Sequence, residues 1–168
     1  LFPRPTQFKE ANILTLSDFH GQLTPLTQTS DTVGPSYAIG GAAYLKPWFD
    51  VYRAEAKDGS VTLTAGDATG ATPPISNLFG DQPTIKLMNM MGVTQDTLGN
   101  HNFDYGSEYL RTMLIPLANF QFLASNIVFP NGNTPAQWKP SILVNLNGLK
   151  LGIVGYTLTE LPTLIFPG

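Results

Sequence analysis

Short apolar, β-branched runs alternate along the chain with longer stretches whose apolar residues recur at helical spacing. Asn12-Ile13-Leu14-Thr15-Leu16-Ser17, Val61-Thr62-Leu63-Thr64-Ala65, Thr94 to Leu98 and Phe120-Gln121-Phe122-Leu123-Ala124 have the length and composition of buried strands. Ala42, Ala43, Leu45, Trp48, Phe49 and Tyr52 share one face, so a helix is predicted over 41–57, closed by Asp58-Gly59. Pro47 lacks an N–H and is expected in the first turns or at a kink. Pro83 opens a second helix that buries Ile85, Leu87, Met88 and Met91 and stops at Gly92. A third, capped by Ser107, runs through Tyr109, Leu110, Met113, Leu114 and Leu117. The polar segment 22–40 reads as a surface loop. Asn147-Gly148, between Ile142-Leu143-Val144-Asn145-Leu146 and Lys150-Leu151-Gly152-Ile153-Val154-Gly155, predicts a tight hairpin with both turn residues at positive φ. The whole predicts an α/β fold: a mostly parallel sheet with helices on both faces and a late antiparallel hairpin.

Composition narrows the function classes. At 168 residues with 42% apolar content the chain can bury one real core, and no repeat or linker divides it, so residues 1-168 read as a single domain. The net charge of -3 without a basic run argues against nucleic acid or an anionic membrane as partner. No apolar run reaches the roughly 18–20 residues that span a bilayer. Absence of Cys excludes disulfides, thiolate metal sites and a Cys nucleophile. Few charges with many Thr, Asn, Gly and Pro lean towards an exported protein, in the cell wall, periplasm or medium. The four Met read as core filler rather than as ligands.

The candidate chemistry sits just past three predicted strands: Asp18-Phe19-His20-Gly21, Gly66-Asp67, and Gly99-Asn100-His101-Asn102-Phe103-Asp104. Open α/β sheets place their sites at these strand ends. Residues two apart on a strand point the same way, so Asp18 and His20 can close on one ion, and the two oxygens of Asp67 can bridge to a second. Asn100 adds a neutral oxygen, and this mixed set suits Zn, Mn, Mg or Ca. Two such ions about 4 Å apart would polarise a phosphoryl group and activate a water. His101 can then face the phosphate, with Asp104 orienting its other ring nitrogen. Each piece alone has an ordinary reading: Asp18 and Asp67 as turn residues, His20 as a loop histidine, Asp104 as a helix N-terminal carboxylate.

Taken together, Asp18-x-His20-Gly21, Gly66-Asp67 and Gly99-Asn100-His101-x-Phe103-Asp104 resemble the calcineurin-like metallophosphoesterases, and within them the 5'-nucleotidase branch. The resemblance continues through Gly40-Gly41-Ala42-Ala43, Asn77-Leu78-Phe79-Gly80, Ser125-Asn126 and Gly152-Ile153-Val154-Gly155. It implies that Asp18, His20 and Asp67 hold one divalent ion, that Asp67 and Asn100 hold a second, and that His101 and Asp104 form a catalytic dyad. It implies hydrolysis of nucleotides or related phosphate esters, usually outside the cytoplasm. The family pattern goes on to a further His and a Gly-His-x-His segment, then to a separate nucleoside-gripping domain. This sequence has two His, both already used, and its last residues are Phe166-Pro167-Gly168. The expectation is therefore an incomplete N-terminal fragment, half of a metallophosphoesterase sandwich, nearly inactive alone and completed by the rest of the catalytic domain or a second chain. The competing expectation is a non-catalytic exported module that binds metal or phosphate.

Overall fold

The computed structural model describes residues 8–28 and 36–165. In chain order its elements are β1 (Asn12–Leu16), β2 (Leu26–Gln28), β3 (Tyr37–Ile39), α1 (Ala42–Glu55), β4 (Ser60–Thr64), α2 (Pro74–Asn77), α3 (Gln82–Met91), β5 (Gln95–Thr97), α4 (Gly106–Tyr109), β6 (Gln121–Leu123), β7 (Ser141–Leu146), β8 (Leu149–Val154) and α5 (Leu161–Leu164). The four predicted buried strands pair in parallel as one sheet, in the order β1-β4-β5-β6. The late hairpin forms as expected, with Asn147 at φ 48 and Gly148 at φ 91, and makes a separate two-stranded sheet.

Register decides which side chains meet the helices. Leu16, Thr64, Asp96 and Phe122 lie in one row across the parallel sheet. Phe122 joins Phe49 of α1 and Ile85, Met88 and Met91 of α3 in the buried core, with Leu16 packed against it. The alternate residues Thr15, Leu63, Gln95 and Leu123 line a cleft with Ile153, Gly155 and Tyr156 at the end of the hairpin. Arg53 locks α1 to this frame. Its guanidinium donates to Thr62 Oγ1 on β4 at 2.9 Å and to the Met91 and Gly92 carbonyls that end α3, and it lies 5.6 Å over the Phe49 ring.

Several local expectations change. Segment 22–40 carries β2 and β3, paired antiparallel with Leu26 opposite Ile39, and its residues 29–35 lie outside the described ones. Pro47 keeps to its expectation, in the second turn of α1, and the helix continues through it. Ser107 is not a cap: α4 begins at Gly106 after Tyr105, with no side-chain cap bond. From there the helix widens into a π turn over Leu110–Leu114 and tightens into a 3-10 turn over Ile115–Leu117. Pro116 explains the change, since it offers no N–H to the carbonyl one turn back and its ring crowds it. Met88 and Met91 fill the core, whereas Met90 and Met113 are exposed.

Asp96 is the misfit of the buried row. It accepts the Thr64 hydroxyl, and its Oδ2 has no hydrogen-bond partner among the described residues. Burial pushes its carboxyl up to about 7, against the opposing pull of the Thr64 hydroxyl and the Gly66 and Thr97 amides. The unfolded chain releases this proton near 3.9. The folded state therefore binds the extra proton between the two values, and stability falls as pH rises through that window, then levels off above it. Asp96→Asn, which removes the buried charge, is expected to stabilise the fold by about 1–3 kcal/mol at pH 8 and to be nearly neutral at pH 4. Urea denaturation at the two pH values checks this, and an equal gain at both would contradict it.

Candidate active site

The loops that leave β1, β4 and β5 converge. Beyond the last strand residues the backbone keeps pairing: Asp18 N–H donates to Gly66 O at 3.2 Å, His20 N–H to Asp67 O at 3.0 Å and Gly21 N–H to Ala68 O at 3.0 Å. Asp18, His20 and Asp67 are all left-handed, with φ of 50, 43 and 52. Three non-glycine residues in that region mark a backbone held against its preference. Asp18 and His20 therefore converge because the loop curls after β1 ends, not because they alternate along a strand. One ligand atom from each of Asp18, His20 and Asp67 lies within 4.8 Å of the others.

A second histidine stands beside this cluster. The His20 and His101 rings meet edge to face with centroids 4.9 Å apart. His20 Nδ1 lies 2.7 Å from Gly70 O, and a carbonyl only accepts, so Nδ1 carries the proton and Nε2 is the nitrogen left to bind an ion. His101 Nδ1 lies 3.1 and 3.2 Å from the two Asp104 oxygens, which leaves Nε2 as its outward nitrogen by the same logic. His101 N–H donates to Asp67 Oδ1 at 2.9 Å, so the turn that carries the dyad also aims the carboxylate. Asn100 is the N-terminal flank of that 3-10 turn (His101–Phe103), half-buried and next to His101.

The donor set fits a divalent cation. Two carboxylates and one imidazole are hard to borderline ligands, and the Asn100 side-chain carbonyl is compatible with them. Without a cation, Asp18 and Asp67 would bring two carboxylates into one small volume.

Two contributors escaped the sequence reading. Asn102, the unassigned residue of the Gly99 to Asp104 motif, is buried, and its Oδ1 accepts both Gly99 N–H at 2.8 Å and Asp67 N–H at 3.3 Å. Its Nδ2 donates to Thr69 Oγ1 at 3.1 Å, so one amide joins the β4 and β5 loops. Gly70 is the other: it is buried at φ 80, between His20 Nδ1 and the backbone of His101. A buried Asn at the fixed spacing Gly99-x-x-Asn102 was the available signal for the first. Gly70 gave none. Asn126, within the wider resemblance, serves the frame instead, exchanging hydrogen bonds of 2.6 and 2.9 Å with Thr157.

No family model matches the chain. It is 37% identical over 150 residues to a probable 5'-nucleotidase of Treponema pallidum, covering 87% of this chain and 25% of that protein. A cell wall protein of Listeria monocytogenes is 32% identical over 178 residues, covering 91% of this chain and 22% of its own length. An uncharacterized protein of Acinetobacter calcoaceticus is 32% identical over 154 residues, covering 77% of this chain and 75% of its own. The structure of the Haemophilus influenzae NAD nucleotidase superposes with a TM-score of 0.76 at 29% identity, covering 89% of this chain and 27% of that one. The chain belongs to the 5'-nucleotidase family. It spans 22% of the Listeria protein and 25% of the Treponema protein.

Proposed function

We propose that the protein to which this chain belongs is a metal-dependent phosphohydrolase acting on nucleotides or closely related phosphate esters. The observation that carries this reading is the convergence of Asp18, His20 and Asp67 within 4.8 Å of one another, beside a histidine held by a carboxylate at 3.1 Å. The carboxylates of Asp18, Asp67 and Asp104 would repel a phosphate, and a divalent ion held by Asp18, His20 and Asp67 would offset most of that negative charge. Asp67 and Asn100 are the residues here suited to a second ion. Bound divalent ions supply polarisation of the phosphoryl oxygens and a lowered water pKa. His101 presents Nε2 to the substrate and donates to charge developing on the phosphoryl group or to the leaving oxygen. Asp104 keeps the ring in the tautomer that makes this possible.

Both histidines of the sequence are used in this arrangement. In this reading the second ion takes its remaining ligands, and the nucleoside its pocket, from the rest of the protein or from a second chain. The 168-residue chain alone then binds one ion and turns over little. The same reading places the protein outside the cytoplasm, supported by the cell wall designation of the Listeria relative. No helix among the described residues is long and apolar enough to cross a membrane.

Two measurements test the proposal. Mn2+ at about a hundred times its Kd is expected to stabilise the chain by about 2.7 kcal/mol, read as a rise in Tm. The complete protein is expected to release phosphate from AMP and p-nitrophenyl phosphate, with activity lost in EDTA. Binding of Mn2+ by the complete protein with no turnover of either ester would make the site a non-catalytic metal- or phosphate-binding module. Robust turnover by the 168-residue chain alone would refute the partial site.

A further inference from the structure

We propose that Asp81 is a positioning residue of this site, setting both histidines through a single peptide unit, Gly70–Ala71; the inference rests on the reading of His20 as ligand and His101 as dyad. That peptide has two hydrogen-bonding ends. Its carbonyl takes the proton of His20 Nδ1 at 2.7 Å, and its N–H, on Ala71, donates to Asp104 Oδ2 at 2.9 Å. Asp104 in turn holds His101 Nδ1 at 3.1 Å. The orientation of one peptide plane thus fixes the tautomer of His20 and the position of the carboxylate that orients His101. Asp81 holds that plane from its two flanks: its Oδ2 accepts Gly70 N–H, in the preceding Thr69–Gly70 peptide, at 2.8 Å, and its Oδ1 accepts the Thr72 hydroxyl just beyond Ala71.

The other hydrogen bonds of Asp81 tie it to the neighbouring loop and helix. It is 0% exposed, and its Oδ1 accepts the hydroxyls of Thr72 and of Ser76, the latter at 2.9 Å. Ser76 Oγ lies 2.6 Å from Thr84 Oγ1, and all four residues are buried. Thr72 and Thr84 also form the floor beneath Gly21: a Cβ there would lie 2.7 Å from each of their side chains. The hub therefore supports the Asp18 to Gly21 loop from a second direction. Asp81 occupies the N-cap of α3, where an Asp would ordinarily accept a helix N–H, yet it makes no cap bond and turns to the Gly70 loop instead. It does so at φ 61, a left-handed conformation that costs a non-glycine residue. A buried carboxylate, a forgone cap and a strained backbone are all unfavourable for the fold alone, and all three serve the orientation of Gly70.

The test uses Asp81→Gly, which removes the carboxylate while suiting the left-handed backbone, and Asp81→Asn, which tolerates that backbone and keeps an acceptor for Gly70 N–H. The readouts are Mn2+ affinity and the tautomer of His20, seen by long-range 1H–15N correlation in the metal-free chain. Asp81→Gly is expected to weaken Mn2+ binding at least about tenfold and to replace the single Nδ1–H form of His20 by a mixture, while Asp81→Asn restores both to within about threefold. Met88→Ala, a core truncation in the same helix, is the control for lost stability and is expected to leave the His20 tautomer unchanged. A folded Asp81→Gly with wild-type affinity and a single His20 tautomer would overturn the inference, as would Met88→Ala shifting His20 equally. If Asp81→Gly cannot be purified, Thr72→Ala takes its place, and an unchanged His20 signal there overturns the inference too. Should the wild-type chain bind no Mn2+, the metal reading fails, and the tautomer alone still decides the role of Asp81.

Discussion

In the complete protein, Asp67→Asn is expected to lower metal-dependent phosphate release at least about a hundredfold, and His101→Ala to do the same. The two changes act differently. Asn preserves the volume of Asp67 and an oxygen for the His101 N–H, now 2.9 Å from Oδ1, so the turn at 101–103 should survive. What is lost is one negative charge at the point where the Asp18, His20 and Asp67 ligand atoms approach within 4.8 Å. The mutant should therefore fold normally and bind Mn2+ weakly. His101→Ala spares the cluster and should leave Mn2+ binding close to normal while the rate falls. Steady-state phosphate release, paired with Mn2+ titration of the same preparations, separates the two signatures. Near-normal activity in both variants would end the enzymatic reading.

Gly70→Ala is expected to cost about 2–3 kcal/mol of stability and to disable the site together with the fold around it. Gly70 has φ 80 and is buried, and a Cβ would run into the carbonyl of His101 and lie 2.7 Å from Asp104 Oδ2. Backbone on one side and the dyad carboxylate on the other leave nothing that can yield cheaply. Gly132 provides the control, because its φ of 82 is equally left-handed while a Cβ there meets nothing within 4 Å. Gly132→Ala should cost only the backbone strain, about 1 kcal/mol. Urea denaturation of the two variants gives the difference, and equal losses would show that the close approach at Gly70 carries no weight.

What was legible in the sequence was local. The strands at 12–16 and 60–64, the helix over 42–55, the helix ended by Gly92 and the turn at Asn147-Gly148 each announce themselves within a dozen residues, through periodicity or turn chemistry. The candidate residues stand out because Asp, His and Asn recur just past apolar runs, and the structure brings Asp18, His20 and Asp67 near one another and His101 near Asp104. The unread parts depend on distant partners. Asn102 has a local contact with Gly99, but its reach to Asp67 and Thr69, like that of Asp81 to Gly70, crosses between loops and has no local pattern. Strands β2 and β3 are three residues each in a Thr- and Gln-containing segment, too short to show alternation. The left-handed turns at Asp18 and His20 ran against residue preference, which is where local rules fail at functional loops.

The parallel sheet also sets the order of events during synthesis. Asn12 of β1 pairs with Ser60 of β4, and among the described residues nothing nearer in sequence is a strand neighbour of β1. At ribosomal rates of about 5–20 residues per second, the nascent apolar run waits about 2–10 s for its partner, and Asp67 emerges later still. Asp18 and His20 are then displayed to the surrounding metal pool before the third member of their cluster exists. If the cluster holds an ion as proposed, loading follows closure of the sheet, and a chain stalled before residue 60 presents an unpaired strand to chaperones.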